Sequence, residues 1–138
     1  MEIGARDTGE LQLVSGEIHD AWFEKADVRF HPDRQVMEIP LKREKWEERK
    51  TIKRLLFAKK VSTPVVWSIL SVAHVRSYEI QDTARIGSYD IQGIQYHDDT
   101  VVISSNVPLT ITLKVSGLEV SLVDADELIE DRTGWTLF

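Results

Sequence analysis

Along most of this chain the apolar positions recur every second residue, the period of a strand with one face buried. Ala26, Val28 and Phe30 alternate with Asp27 and Arg29, His31-Pro32-Asp33-Arg34 supplies turn chemistry, and Met37, Ile39 and Leu41 alternate with Glu38 and Pro40. These residues predict a first hairpin, whose second strand is placed at an edge because Pro40 cannot donate to a ladder. The plainest alternation lies near the end: Leu109, Ile111, Leu113 and Val115, then Ser116-Gly117, then Leu118, Val120 and Leu122. It predicts a second hairpin, with Leu113, Val120 and Leu122 buried.

Val65–Val75 is rich in β-branched residues and is expected as a central strand, continued past a bend by Arg76–Gln81. In Ser88–Tyr96 the apolar phase slips between Ile91 and Ile94, and Gly93 at the slip predicts a β-bulge. Thr100–Ser104 follows as a strand, and Ile52–Ala58 fits a strand slightly better than a short amphipathic helix. One helix is expected, over Ala125–Arg132, because Asp124 and Glu127 stand in capping-box relation and Thr133-Gly134 offers a stop. The expected fold is all-β, a mainly antiparallel sandwich or barrel with one short C-terminal helix. It forms a single domain over residues 1–138, in which 1–15 is read as a flexible N-terminal segment.

Composition narrows the classes. A chain of 138 residues can bury a core without staples, and the absence of cysteine removes disulfides and thiolate metal sites. No leader-like run or long apolar stretch stands out, so a cytoplasmic location without membrane contact is expected. The net charge of −6 speaks against general nucleic-acid binding, but it is unevenly spread. Lys42–Lys60 holds nine basic and three acidic residues, a net of +6, which leaves −12 for the remainder. The segment's cations, interleaved with Trp46, Leu55, Leu56 and Phe57, could touch a membrane surface or RNA, but three glutamates weaken both readings. Leu55 and Phe57 are instead expected in the core, with Lys53, Arg54, Lys59 and Lys60 snorkelling to water.

Candidate chemistry is sparse. His97-Asp98-Asp99 combines metal-ligand types, but strand geometry sends neighbours to opposite faces, and the stretch reads more simply as an exposed hairpin loop. His19-Asp20 could orient a general base, yet no nucleophile elbow accompanies it. His31 reads as a turn residue. His74 lies in an apolar run and is expected as a core histidine satisfied by Asp82 or Tyr78. There is no phosphate-cradling glycine motif, and no cofactor is implied.

Two functional classes follow. The favoured one is a non-enzymatic protein-interaction or structural module, pairing with itself as a homodimer or with another protein. It would use Trp22 and, above all, Trp46, Trp135 and Phe138, with the Trp135–Phe138 tail or the Lys42–Lys60 arm at the contact. The alternative is a hydrolase or metal-dependent enzyme drawing on His19, Asp20, His74 and Asp82, or on His97, Asp98 and Asp99 as metal ligands.

Overall fold

The computed structural model describes residues 2–106 and 108–137, without the side chains of 126–131 and 137. The chain begins with strand β1 (Glu2–Ala5) and helix α1 (Thr8–Ile18). Strands β2 (Trp22–Glu24), β3 (Arg29–His31), β4 (Val36–Glu44) and β5 (Lys50–Arg54) follow. Then come β6 (Ala58–Val72), β7 (Val75–Asp82), β8 (Ser88–His97), β9 (Thr100–Ser105), β10 (Leu109–Val115) and β11 (Val120–Leu137). All are antiparallel in one sheet of order β1-β11-β6-β4-β2-β8-β9-β10-β7, with β3 added on β4 and β5 on β6. The path ends at β1 and β7, so the sheet is not closed into a barrel.

Alternation drives burial as expected. In β4 every second residue is buried, Met37, Ile39 and Leu41 among them, and in β10 Leu109, Ile111, Leu113 and Val115 all point inward. With Leu70 and Val72 of β6, Ile91 of β8, Val101 and Ile103 of β9, and Val120 and Leu122 of β11 they form one continuous apolar cluster. The first hairpin forms through β3 and β4. The bulge falls at Gly93, where the register of β8 against β9 shifts. Ser15 Oγ of α1 accepts from the Ile94 N–H at 3.1 Å, and a Cβ on Gly93 would stand 3.1 Å from that same oxygen, so the glycine lets the helix come close.

Five expectations are corrected. The first concerns the helix. Residues 125–132 lie in β11, paired along β6, and the register shifts between Asp124 and Glu130 absorb the extra polar residues as bulges. The helix sits instead near the N-terminus, beginning inside the segment 1–15 read as flexible and running on to Ile18. Asp7 caps it by accepting from the Glu10 N–H at 2.8 Å, and Leu11, Val14 and Ile18 are buried at helical spacing.

Second, β10 and β11 do not pair with each other: β10 lies between β7 and β9, and β11 between β1 and β6. Residues 115–120 turn a corner beside another corner, at Ala73-His74, where β6 becomes β7. Val115 is registered with Val75 and Val120 with Val72. Ser116 N–H donates to His74 O and Ala73 N–H to Glu119 O, both at 2.9 Å. Two strands thus cross together from one half of the sheet to the other.

Third, Pro40 is in an interior strand. Its register partner on β6 is Ile69, while on the opposite flank β3 covers only residues 36–38 and β2 only Lys42. The missing N–H therefore falls in a gap between partners. Fourth, Leu55 and Phe57 are exposed rather than in the core. Fifth, His74 is half-exposed at the corner with a φ of 58°, and its partner is Glu119 rather than Asp82 or Tyr78.

Candidate functional site: a paired cleft and an exposed arm

Each of the four histidines stands beside a different carboxylate, at four separate places. His19 Nε2 lies 3.6 Å from Asp20 and its Nδ1 2.9 Å from Gln92 O. His31 lies 2.9 Å from Glu38, His74 2.7 Å from Glu119, and His97 3.1 Å from Asp98. The hydrogen bond from His74 leads the influences that hold the Glu119 carboxyl below its usual range. His74 and Asp82 bracket β7, roughly 25 Å apart by strand rise, so they do not share a site. Asp82 instead accepts a short hydrogen bond from Tyr89, with Lys25 at 3.2 Å, and the Tyr89 bond is the main reason its carboxyl is held low.

Asp98 and Asp99 form the exposed loop between β8 and β9, both at positive φ, the conformation that a two-residue hairpin turn requires. Tyr96 O–H donates to Asp99 at 3.0 Å, which raises the phenol's pKa. Among the described residues no group of three His, Asp or Glu side chains is placed to hold a metal ion.

Two clefts meet at Gly16 and His19. One, about 490 Å³, runs between α1 and β8 past Ser15, Gln92, Tyr96 and His97. The other, about 730 Å³, is bounded by Trp22, Trp46, Arg43, Glu47, Asp90 and Arg132. Ser15 and His19 share the first, but the serine oxygen is engaged by Ile94 N–H, while the histidine nitrogens are directed to Gln92 and Asp20. Among the described residues no hydrogen bond joins Ser15 to His19.

At the floor of the larger cleft lies a buried ion pair that sequence reading missed. The guanidinium of Arg43, 3% exposed, makes two hydrogen bonds to Asp124, 4% exposed, at 2.9 and 2.8 Å. Glu17 and Glu47 stand 3.4 and 3.3 Å from the same arginine, and Ser68 O–H donates to Asp124 at 2.5 Å. Burial works against the Asp124 carboxylate, but the bonds from Arg43 and Ser68 outweigh it and bring its pKa to about 2. Burial also works against the Arg43 cation, and the Asp124 bond outweighs it, so the guanidinium pKa is raised. A signal existed: Arg43 occupies the inward parity of β4 after Met37, Ile39 and Leu41, where an arginine needs a buried partner.

Further charges on and beside the cleft are also paired. Arg132 lies 2.7 Å from Glu44 and 4.6 Å over the Trp22 ring, and Lys45 lies 3.5 Å from Glu48. Trp46, expected as a contact residue, is half-exposed and carries Arg49 at 5.0 Å over its ring. Arg43 and Arg132, satisfied in this way, give their side of the cleft a structural character.

The other feature is an arm. Beyond Glu44 the sheet continues as a ribbon of three strands: β5, the first part of β6 and the last part of β11. Its turn is Leu55-Leu56-Phe57, with Leu56 83% and Phe57 74% exposed and Leu55 and Ile52 also exposed. Residues 49–60 contain six basic side chains and no acidic one. The three glutamates of the wider segment all lie at the arm's base, paired as just described with Arg132, Arg43 and Lys45. The tail expected to be sticky is a strand of this ribbon, with Trp135 opposite Lys60 and Leu137 opposite Ala58. Trp135 remains half-exposed, and Phe138 lies outside the described residues. Every residue of β5 is exposed, so the segment whose core packing was expected builds no core.

Residues 1–133 match the model of DUF2948, a protein family of unknown function, and the chain belongs to that family. No curated protein and no solved structure matches it. Among the described residues no helix is long and apolar enough to cross a membrane.

Proposed function

We propose that this chain is a non-enzymatic binding module whose working surface is the β5–β6–β11 arm. The observation that carries this reading is the arm's tip, three consecutive large apolar residues held in solvent at a turn between cations. Folding gives little reason for such an arrangement, since Leu55, Leu56 and Phe57 each leave more than half of their surface in water. The enzymatic alternative finds less support, because its histidines are dispersed and individually paired. A sandwich-like wrapping of the two sheet halves over the shared core would serve this role as a rigid base. A cytoplasmic location accompanies the reading, as a cysteine-free chain suits a reducing compartment.

In-cell photocrosslinking tests it. A photoreactive residue at position 56 is compared with one at position 13, another highly exposed leucine, on α1. Discrete adducts from position 56 and none from position 13 are expected. Equal labelling at both, or none at position 56, would overturn the reading.

A further inference from the structure

We infer that the arm docks tip-first on an anionic lipid bilayer surface. This rests on the binding-module reading and names its partner. The first reason is the order of chemistry along the arm. Three apolar side chains form the extremity, and the cations begin immediately behind it. Lys59 and Lys60 follow Phe57 by two and three residues. At strand rise that places their backbone about 7–10 Å behind the tip, matching the roughly 5–10 Å to which interfacial segments sink their apolar part.

The second reason is that the cations surround the ribbon. Register places Lys53, Lys60 and Trp135 side by side on one face, and Arg54, Lys59 and Thr136 on the other. A protein groove reads one face or one edge of a ribbon, so it would leave half of this collar unused. A bilayer entered tip-first meets both faces at one depth, where headgroup phosphates lie. Trp135, beside Lys60, has the amphipathic ring favoured at that level.

The third reason is the charge of everything else. The acid-free tip region is set on a body whose charge is strongly negative, −12 outside Lys42–Lys60. An anionic surface attracts the arm and repels the body, so the field itself selects the tip-first orientation. The same charges disfavour a second copy joined through β5: two such edges laid antiparallel would face Lys50, Lys53 and Arg54 with their own like. A nucleic acid would use the cations but would gain nothing from Leu55 and Leu56 at the extremity.

The test uses the full chain and sedimentation with phosphatidylcholine vesicles, with and without phosphatidylserine. Binding to the phosphatidylserine vesicles is expected, weakening as salt is raised. Leu56→Ser/Phe57→Ser and Lys53→Glu/Lys60→Glu should each reduce it, on the order of tenfold or more, with unchanged circular dichroism. Because the chain has no cysteine, Leu56→Cys can carry a single polarity-sensitive dye. Its emission should shift to the blue on those vesicles, whereas a dye on Leu13→Cys should not respond. No binding by the unmodified chain overturns the inference, as does binding that ignores both double variants or a dye at position 56 that stays in water. A crosslink from position 56 to a protein or nucleic acid, together with absent vesicle binding, would remove the lipid and leave the binding module standing.

Discussion

The strand β6 belongs to two different regions, and the contrast between them explains how this chain divides its labour. From Val65 to Val72 it lies between β4 and β11, with Val65, Leu70 and Val72 fully buried in the core. From Ala58 to Ser62 it lies between β5 and the end of β11, where the ladder is equally complete but Val61 is the one residue buried. Backbone pairing is thus the same in both regions and burial is not. Stability resides in the first, where apolar area leaves water. The second is held up by hydrogen bonds that contribute little net stability and by attachment to the first. A segment kept in register without a core of its own is available for contact with something else.

The sharpest way to break the body is at Arg43. Arg43→Ala removes the two-bond partner of the buried Asp124 carboxylate while Ser68 and Lys45, at 3.8 Å, stay beside it, and should cost about 3–5 kcal/mol, the range for breaking a buried pair. Asp124→Asn should cost less, about 1–3 kcal/mol, because Glu17 and Glu47 still flank the arginine. Urea unfolding of both variants checks the order. Equal losses would mean that the outer glutamates contribute nothing. Leu113→Ala, in the fully buried row of β10, should cost about 2–5 kcal/mol through lost transfer energy and a residual cavity.

Acid sharpens the comparison further. Asp124 has a folded pKa of about 2, below its ordinary 3.8, so its stabilising contribution is complete above about pH 4 and is lost as pH falls toward 2. Asp82 and Glu119 are also depressed and act with the same sign. The unfolding midpoint should therefore fall across that window. Asp124→Asn should flatten the fall, whereas Leu113→Ala should lower the whole curve without changing its slope.

What could be read from residues alone follows from the range of the forces involved. Period-two burial in β4 and β10, the loop at Asp98-Asp99 and the bulge at Gly93 were legible because each is set within a few residues. The bend was legible only roughly: it was expected after Val75 and falls at Ala73-His74. The helix was not, because the same acidic capping spacing occurs twice, at Asp7–Glu10 and at Asp124–Glu127. What distinguishes them is remote: Asp124 is claimed by Arg43 across 81 residues, and β6 needs a partner along its whole length. Gly9, Ser15 and Gly16 also weaken the local helix signal over α1. The separation of β10 from β11 was equally out of reach, since Ser116-Gly117 suits a hairpin as well as a corner. At the candidate sites the histidines gave the visible clues, and they stand at four separate places, each beside its own carboxylate. The informative residues were an arginine at an inward position and a run of leucines that the core did not take.

The smallest expected effect is the one that tests the division itself. Leu56→Ser/Phe57→Ser removes two large apolar side chains, a change that would cost several kcal/mol inside a core. At the arm's tip both are already in water, so little transfer energy is lost. Stability should move by no more than about 0.5 kcal/mol, as for ordinary surface positions. The sign can even be favourable, since less apolar surface is left exposed in the native state. The slope of unfolding free energy against urea should be unchanged, because the area exposed on unfolding is nearly the same. A loss of about 2 kcal/mol or more would show that the tip packs against the body in solution, and the arm would then be part of the fold. An unchanged midpoint joined to lost vesicle binding would separate the two roles, with the inward faces of β4, β6 and β10 responsible for folding and the tip for contact.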